Sequence, residues 1–292
     1  MKIALFGHQF NTVHLKKILQ MVDLLIKKNT DIQIHETLYY IIEPHLNQKK
    51  SLRLFNRYEQ IDLDTKIMIS LGGDGTLLDA ATIIRDSGIP ILGINIGKLG
   101  FLSSVSIDEA EEAINSVLNN KFELDKRTLV KLEDPASLFG GLNYGLNELT
   151  VIKRDTTTMI TISVYVDNLF LNTYWADGII ISTPTGSTGY SLSCGGPIIS
   201  PESKNFVITP IATHNLTVRP IIIPDSCQIK LKVERRNQDF LCVLDSRSRE
   251  LSSPAELIIS KLEFQINLIS LENSGFFKTI RNKLAWGLDK RN

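Results

Sequence analysis

The first 122 residues alternate short apolar runs with stretches in which apolar positions recur at helical spacing. Apolar runs predict strands, and apolar residues at every third or fourth position predict helices. A polar stretch around 44–60 shows no clear period and predicts a mobile loop or a frayed helix. Strands that alternate with helices are typical of a parallel sheet covered by helices, so we predict an α/β domain over residues 1–122. The predicted strands are 2–7, 32–35, 66–71 and 89–94, and the predicted helices are 14–28, 76–86 and 106–118.

From residue 123 onwards the pattern changes to period-two and β-branched stretches, which predict strands. Asp167-Asn168 between two of these stretches is a hairpin turn signal. We predict a mostly β domain over 123–271, and a C-terminal helix over 272–292 that packs back on the first domain. The predicted strands are 128–133, 148–153, 159–166, 169–174, 178–182, 206–211, 218–223, 228–234, 240–245, 256–260 and 263–269.

Composition and charge narrow the classes of function. Lysine and arginine total 32 and aspartate and glutamate total 32, so the chain has no formal net charge. It therefore lacks the strong overall charge that would attract nucleic acid or a membrane surface. No apolar run reaches the roughly 18 residues that a membrane span needs. The three cysteines are odd in number and widely spaced, which fits neither a disulfide framework nor a zinc site. We expect a soluble, cytoplasmic protein with no nucleic-acid partner, no membrane partner and no metal-ligating residue that can be named.

Gly72-Gly73-Asp74-Gly75-Thr76 lies where a predicted strand ends and a helix begins. Glycines let a ligand approach the backbone closely, and free amides at a helix N-terminus favour phosphate oxygens. A carboxylate in such a loop suits a general base that takes a proton from an attacking hydroxyl. A tight turn in which Asp74 caps the helix is the structural alternative, and this loop alone does not decide between them. The glycine patterns of P-loop kinases and of dinucleotide-binding Rossmann enzymes are absent from the chain.

A second glycine-rich stretch, 93–102, follows the next strand of the same predicted sheet. Neighbouring parallel strands place their C-terminal loops side by side, so this loop is expected to form another wall of the same cleft. Lys98 would meet phosphate charge there, and Asn95 offers a neutral donor and acceptor. The structural alternative is a glycine-rich crossover in which Phe101 belongs to the core.

Hydroxyls and glycines crowd the stretch 183–198 around Tyr190, with almost no charge. Such a segment donates many hydrogen bonds, and the tyrosine ring can stack on a planar base. Asp177, together with Asn147 and Glu148, can hydrogen-bond ribose hydroxyls or an amino group. Taken separately, each of these residues is also a typical turn or cap residue.

In this order, the motifs resemble those of the NAD kinase family. Gly-Gly-Asp-Gly alone is shared with lipid kinases and 6-phosphofructokinases, whereas its combination with the stretch 183–198 is specific. The resemblance covers about residues 2–271 and implies a Rossmann-like, phosphofructokinase-like first domain. The matching positions are 72–76, 93–102, 147–148, 183–198 and 219–220.

The resemblance implies transfer of the ATP γ-phosphate to the 2′-hydroxyl of the adenosine ribose of NAD, giving NADP. Mg²⁺ or another divalent cation would accompany ATP, and Asp74 would be the catalytic base. Family members are commonly homotetramers, so a homo-oligomer, tetramer or dimer, formed by the β domain is expected. The implied substrate-binding residues are Gly75, Asn147, Glu148, Asp177, Thr188, Gly189, Tyr190, Ser191, Leu192, Ser193 and Ala212.

The chain departs from the family pattern at two places. Gly189 stands where many relatives have alanine, a small change that should only loosen the loop. The stretch 244–247 occupies the region where many relatives have Asp-Gly and a polar residue, so Asp245 is left without a role. Trp175 is expected either to shape the nucleotide site or to pack.

Two other functions remain open. The shared aspartate turn would also fit a lipid kinase of the diacylglycerol or sphingosine type. Such an enzyme needs an apolar entrance or a basic membrane-facing patch. The sequence, which has no net charge, indicates neither of these features. A dinucleotide-sensing protein that kept the pocket and lost turnover is the non-catalytic alternative, although the intact Asp74 argues against it.

Overall fold

The computed structural model of the chain describes residues 1–8, 10, 12–46, 52–154, 158–234, 239–272 and 275–286. The chain divides into two compact units. Unit 1 comprises Met1–Lys126 and Ile266–Asn292, and unit 2 comprises Arg127–Gln265. These bounds differ from the predicted ranges 1–122, 123–271 and 272–292, because strands at both ends of the predicted β domain are hydrogen-bonded in the sheet of unit 1.

The elements are numbered in chain order. The strands are β1 (Lys2–Gly7), β2 (Asp31–His35), β3 (Arg53–Phe55), β4 (Ile67–Leu71), β5 (Ile91–Asn95), β6 (Val105–Ser106), β7 (Glu123–Arg127), β8 (Val130–Asp134), β9 (Tyr144–Gly145), β10 (Glu148–Lys153), β11 (Ile160–Val166), β12 (Leu169–Ala176), β13 (Gly178–Ser182), β14 (Asn205–Ile211), β15 (Ile221–Pro224), β16 (Ile229–Glu234), β17 (Phe240–Leu244), β18 (Arg247–Leu251), β19 (Ala255–Lys261) and β20 (Ile266–Ser270). The α-helices are α1 (Thr12–Lys27), α2 (Glu36–Ile42), α3 (Asp74–Ile84), α4 (Ala110–Leu118), α5 (Tyr190–Ser193) and α6 (Phe276–Leu284).

Unit 1 is a mostly parallel sheet in the order β3-β2-β1-β4-β5-β20-β7, with β6 paired to β5. Strands β4 and β5 are buried along their whole length, as expected for a parallel sheet covered on both faces. Helix α1 buries Ile18, Val22 and Leu25, whose spacing places them on one helical face. Ser106 and Glu109 form a capping box at the start of the segment that leads into α4. The predicted α/β architecture is confirmed.

Helix α6 packs within unit 1. The Lys283 Nζ donates a hydrogen bond to the Leu99 carbonyl and lies 5.7 Å from the centre of the Phe101 ring. A cation at this distance from an aromatic face is attracted to it. The predicted return of the C-terminal helix to the first domain agrees with this contact.

Unit 2 consists of two antiparallel sheets that share one apolar core. Their orders are β15-β14-β13-β10-β17-β18 and β12-β11-β16-β19-β8-β9. Strand β16 shows the alternation that builds such a core, because Ile229 and Leu231 are buried while Lys230 and Lys232 point outwards. Asp167 and Asn168 have positive φ angles of 49° and 63°, which confirms the predicted hairpin turn.

The stretch 44–60, predicted as a mobile loop or a frayed helix, differs in part from the structure. Within it, β3 pairs in parallel with β2 at the edge of the sheet, and residues 47–51 lie outside the described residues. Strands β7 and β18 were also not predicted; both are polar and largely exposed, so their sequences carry little hydrophobic pattern. Among the helices that the structure describes, none has the length and apolar character needed to cross a membrane.

Candidate active site

Asp74 is the first residue of α3 and follows β4 across a two-glycine turn. Its Oδ2 accepts a hydrogen bond from the Phe101 N–H at 2.8 Å, and its Oδ1 accepts from the N–H groups of Leu102 and Ser103, each at 3.0 Å. The carboxylate therefore does not cap α3, whose N-cap residue is Gly73. Three amide donors hold the Asp74 side chain in one orientation.

The glycines around Asp74 leave room for it and for a ligand. A Cβ atom on Gly100 would overlap the Asp74 carboxylate, so only glycine allows the loop to approach this closely. Gly73 and Gly75 are exposed, and a Cβ on either would meet no atom within 4 Å. The backbone at the start of α3 is thus open to an incoming ligand.

Asn95 shapes the second glycine-rich loop from inside. Its side-chain amide donates to the Lys98 carbonyl and its Oδ1 accepts from the Gly97 N–H, each at 2.7 Å, while the residue is only 3% exposed. The donor and the acceptor of the Asn95 side chain, which the sequence predicted as contacts for a ligand, are therefore both used within the loop. Lys98 itself is exposed.

In unit 2, Asn147 and Glu148 lie at the start of β10 beside the loop that follows β13. The Thr183 N–H donates to the Asn147 carbonyl at 2.9 Å. A Cβ on Gly189 would lie 3.4 Å from the Glu148 Oε2 and 3.7 Å from the Asn147 Nδ2. The structure thus brings Asn147, Glu148 and Gly189 together, as their shared assignment to one pocket requires.

The Glu148 carboxyl has an unusual environment. Its Oε2 is buried and makes no hydrogen bond within the part of the chain that the structure describes. Burial, and to a lesser extent the negative charge of Asp245, raises the pKa of Glu148 to about 8. Near neutral pH the protonated form is favoured, and a protonated carboxyl can donate a hydrogen bond as well as accept one.

Asp245 lies in the turn between β17 and β18 with a φ of 52°. Its Oδ2 accepts from the Leu146 N–H at 2.8 Å, and its Oδ1 accepts from the N–H groups of Asn147 at 2.8 Å and Glu148 at 3.1 Å. Burial raises the pKa of the Asp245 carboxyl, and the three amide bonds and the charge of Arg247 oppose that rise. Sequence analysis gave this residue no role, and the signal that marked it is its place in the stretch 244–247, which departs from the family pattern.

Hydroxyl side chains of the loop that follows β13 form hydrogen bonds within the protein. Thr183 Oγ1 donates to the Leu146 carbonyl at 2.6 Å, and Thr188 Oγ1 donates to the Thr185 carbonyl at 3.2 Å. The Ser191 hydroxyl is fully buried and lies 2.8 Å from the Thr209 hydroxyl. The Ser191 side chain is therefore bonded inside the protein. Leu192 is half-buried and Ser193 is exposed.

Asp177, Tyr190 and Ala212 mark another part of unit 2. The Asp177 N–H donates to the carbonyl of Ile211, which places Asp177 beside Ala212. The Asp177 carboxylate forms an ion pair with Lys153 at 2.6 Å, a partner that sequence analysis missed. Tyr190 is 39% exposed, and its pKa is raised mainly by burial and also by the charge of Asp177.

No group of three or more His, Cys, Asp or Glu side chains that could hold a metal ion occurs among the described residues. Magnesium commonly needs only one or two carboxylates when substrate phosphates supply its other ligands.

Comparison with known proteins gives two family models that match most of the chain. The ATP-NAD kinase N-terminal domain matches residues 23–122, and the ATP-NAD kinase C-terminal domain matches residues 146–271. A relative from Cytophaga hutchinsonii that is named NAD kinase is 45% identical over 293 residues, with 100% of both chains covered. One from Flavobacterium psychrophilum with the same name is 46% identical over 294 residues, again with 100% of both chains covered.

Two solved structures resemble the fold. A crystal structure of yeast NADH kinase complexed with NADH superposes with a TM-score of 0.88 at 21% identity, covering 99% of this chain and 89% of the yeast chain. A crystal structure of an NAD kinase from Archaeoglobus fulgidus in complex with ATP has a TM-score of 0.73 at 25% identity and covers 98% of both chains.

Proposed function

The chain belongs to the NAD kinase family, and on that premise we propose that it transfers the γ-phosphate of ATP to the 2′-hydroxyl of the adenosine ribose of NAD. The products are NADP and ADP. The observation that carries this proposal is the Asp74 carboxylate, held in one orientation by three backbone amides beside the open N-terminus of α3. An oriented carboxylate next to a phosphate-binding backbone is what phosphoryl transfer to a hydroxyl requires.

Asp74 is the proposed general base. A carboxylate oxygen accepts the proton of the 2′-hydroxyl while the hydroxyl oxygen forms the new bond to the γ-phosphorus. The bond from the γ-phosphorus to the β–γ bridging oxygen breaks, and ADP leaves with that oxygen. Gly75 is the proposed phosphate contact, because its amide lies at the start of α3 and no side chain covers it.

Asn147, Glu148 and Gly189 are proposed to hold NAD by its hydroxyls and base edges. Glu148 suits this role because its buried carboxyl, protonated near neutral pH, has an unused oxygen facing Gly189. Tyr190 presents a partly exposed ring for stacking on the adenine, and Asp177 supplies an acceptor near it.

Five further residues complete the proposed NAD pocket in different ways. Thr188, Leu192 and Ser193 lie on the same loop as Tyr190, and Ala212 lies beside Asp177. Ser191 contributes by fixing α5, since its hydroxyl is bonded to Thr209. A neutral, hydroxyl-rich surface of this kind suits a dinucleotide better than a charged or apolar ligand.

Mg²⁺ or another divalent cation is proposed to enter with ATP. When bound, it would neutralise charge on the β- and γ-phosphates during transfer. Its ligands are proposed to be mainly phosphate oxygens and waters, because three amide bonds leave the Asp74 carboxylate one lone pair, which is proposed to accept the substrate proton.

The protein is proposed to be a cytoplasmic homo-oligomer, a tetramer or dimer formed through unit 2. One sheet face of this unit exposes large apolar side chains: Phe170 is 59% exposed and Trp175 is 60% exposed. Exposed aromatic side chains are enriched in protein–protein interfaces. NAD and ATP are the proposed small-molecule partners.

The two alternatives raised by the sequence are not favoured. The aspartate turn common to lipid kinases occurs here together with family matches that cover both domains. A sensor without turnover would have no need for the oriented Asp74 carboxylate.

The test is NADP formation from NAD, ATP and Mg²⁺, read through an NADP-specific dehydrogenase, for the wild type and Asp74→Asn. We expect product with the wild type and a loss of at least about 1000-fold in kcat for the variant, because an amide cannot accept the proton. NAD binding, measured by calorimetry, should persist in the variant.

Asp79→Asn is the matched control, since Asp79 lies on the same helix and pairs with His8. Its turnover should stay within about threefold of the wild type. Equal rates for Asp74→Asn and the wild type would leave the kinase without Asp74 as its base. Folded, NAD-binding wild type that makes no NADP would overturn the proposed activity.

A further inference from the structure

We propose that Asp245 is a positioning residue for the dinucleotide: it holds the backbone of residues 146–148 so that Asn147 and Glu148 present their side chains to the bound substrate. The inference rests on the proposed function, because it concerns the same pocket. Its experiment below separates failure of the inference from failure of the function.

The geometry of the turn supports a positioning role. The Asp245 side chain extends from the turn between β17 and β18 to three backbone N–H groups at the start of β10. Strands β10 and β17 are already paired there, through Leu149 and Leu244. The sheet pairing fixes where β10 runs, and the Asp245 carboxylate fixes how the chain enters it. Two of the three residues whose N–H groups it accepts, Asn147 and Glu148, carry the proposed NAD contacts.

Only an ionised carboxylate matches this set of donors. Its two oxygens accept three N–H groups without offering a donor of their own. The Arg247 guanidinium donates to the carbonyls of Leu142 and Tyr144 on the same segment and favours the charged form of Asp245. An asparagine at this position would turn one amide group towards a backbone N–H, where donor faces donor.

The backbone of Gly145 packs closely against the carboxylate of Asp245. A Cβ on Gly145 would lie 2.9 Å from the Asp245 Oδ1 and 3.2 Å from the Glu148 carbonyl, which is closer than ordinary contact. The Gly145 backbone, the Asp245 side chain and the Glu148 backbone therefore pack as one arrangement. Since all of these contacts lie within unit 2, their loss should affect NAD and spare ATP.

The decisive experiment compares Asp245→Asn with the wild type by steady-state kinetics and by calorimetry with NAD alone. Asparagine tolerates the positive φ at this position, so the turn is retained. We expect the KM for NAD to rise by about tenfold or more, with the KM for ATP within about twofold, because charge-assisted bonds to the NAD-binding turn are lost.

Asp167→Asn is the matched control. Asp167 also lies in a hairpin turn, with a φ of 49°, and its carboxylate also accepts a backbone N–H, from Gln228 at 2.8 Å. It is exposed and has no part in the proposed pocket. Both Michaelis constants of this variant should match those of the wild type.

Gly145→Ala tests the same inference with every charge retained, and serves if Asp245→Asn fails to fold. The added methyl group should displace the carboxylate and raise the KM for NAD selectively. A fall in kcat with both Michaelis constants unchanged in the folded variants would assign Asp245 a merely structural role and overturn the inference. If the wild type forms no NADP, the proposed function fails, and calorimetric NAD affinity still decides the role of Asp245.

Discussion

Asp74 and Asp245 are held in the same way, each by three consecutive backbone N–H groups. The donors lie 27 to 29 residues from Asp74 and 97 to 99 residues from Asp245 along the chain. A carboxylate is an acceptor-only group, so it matches a run of amide donors that a strand or helix leaves unpaired. Each aspartate thereby fixes a distant loop and is itself fixed by it.

Glu148 has both a raised pKa and a proposed role in binding NAD. The negative charge of Asp245 acts on the Glu148 carboxyl, and the charge of Arg247 acts on Asp245. Because the folded-state pKa of Glu148 is raised from 4.5 to about 8, the folded chain retains a proton that the unfolded chain has lost. The contribution of Glu148 to stability is therefore most favourable at low pH and declines as the pH rises through this window.

Glu148→Gln should remove that decline, because glutamine carries no titratable proton. We expect the free energy of unfolding of the variant, relative to the wild type, to increase by about 3 kcal/mol between about pH 5 and pH 8. Urea unfolding at a series of pH values measures this difference. Glu250→Gln, an exposed position in the same unit, is the control and should show no such trend. A difference that stays constant with pH would show that Glu148 titrates normally.

At the scale of elements, the active carboxylate depends on a close approach between α3 and the loop after β5. Gly100 allows the approach, and Gly93 lets the same loop pack on its own strand, since a Cβ there would lie 3.0 Å from the Ser103 Cα. Helix α6 secures the loop from the other side through Lys283. The orientation of Asp74 is thus a property of three elements and not of the Gly-Gly-Asp-Gly turn alone.

Gly100→Ala should therefore damage turnover although residue 100 carries no functional group. The added methyl group overlaps the carboxylate, so Asp74 must leave its amide donors and lose its orientation. We expect kcat to fall by about 100-fold or more with NAD affinity unchanged, as for other displaced catalytic groups. Gly97→Ala on the same loop is the control, because a Cβ there meets no atom within 4 Å. Equal turnover of the two variants would refute this account of the loop.

The spacing of hydrophobic residues along the chain predicted most of the helices and strands, because most of them are buried on one face or on both. Strands β4 and β5 and helix α1 carry strong patterns of this kind. Edge strands such as β3 and β18 carry little apolar pattern and were missed. Motifs also indicated the Asp74 loop and the Asn147–Glu148 pair, whereas the partners of Asp245 became visible only once sheet pairing brought sequence-distant segments together.

At the scale of the whole molecule, the chain crosses between the units twice, at 126/127 and at 265/266. The second crossing returns the chain to unit 1 as β20, which pairs in parallel with β5. A local hydrophobic pattern assigns residues 266–270 to a strand without indicating which sheet receives it. That is why the predicted β domain extended further than unit 2.

The proposed assembly through unit 2 gives a prediction for the intact protein. The outer face of β11 and β12 pairs Tyr165 with Phe170 edge-to-face at 5.5 Å, and Trp175 lies on the same face by strand register. A second copy that covered these rings would remove a large apolar area from water. A single chain has a mass of 32.8 kDa, so light scattering should give the wild type about two or four times that mass.

Phe170→Asp should shift this assembly towards smaller species, because the aromatic contact area is lost and a carboxylate on the covered face has to be desolvated. The substitution lies on an exposed side chain, so circular dichroism of the variant should match that of the wild type. Leu63→Asp, at a fully exposed apolar position of unit 1, is the control and should leave the mass unchanged. A wild type that stays monomeric at micromolar concentration, or an assembly that Leu63→Asp disrupts and Phe170→Asp does not, would contradict an interface on this sheet.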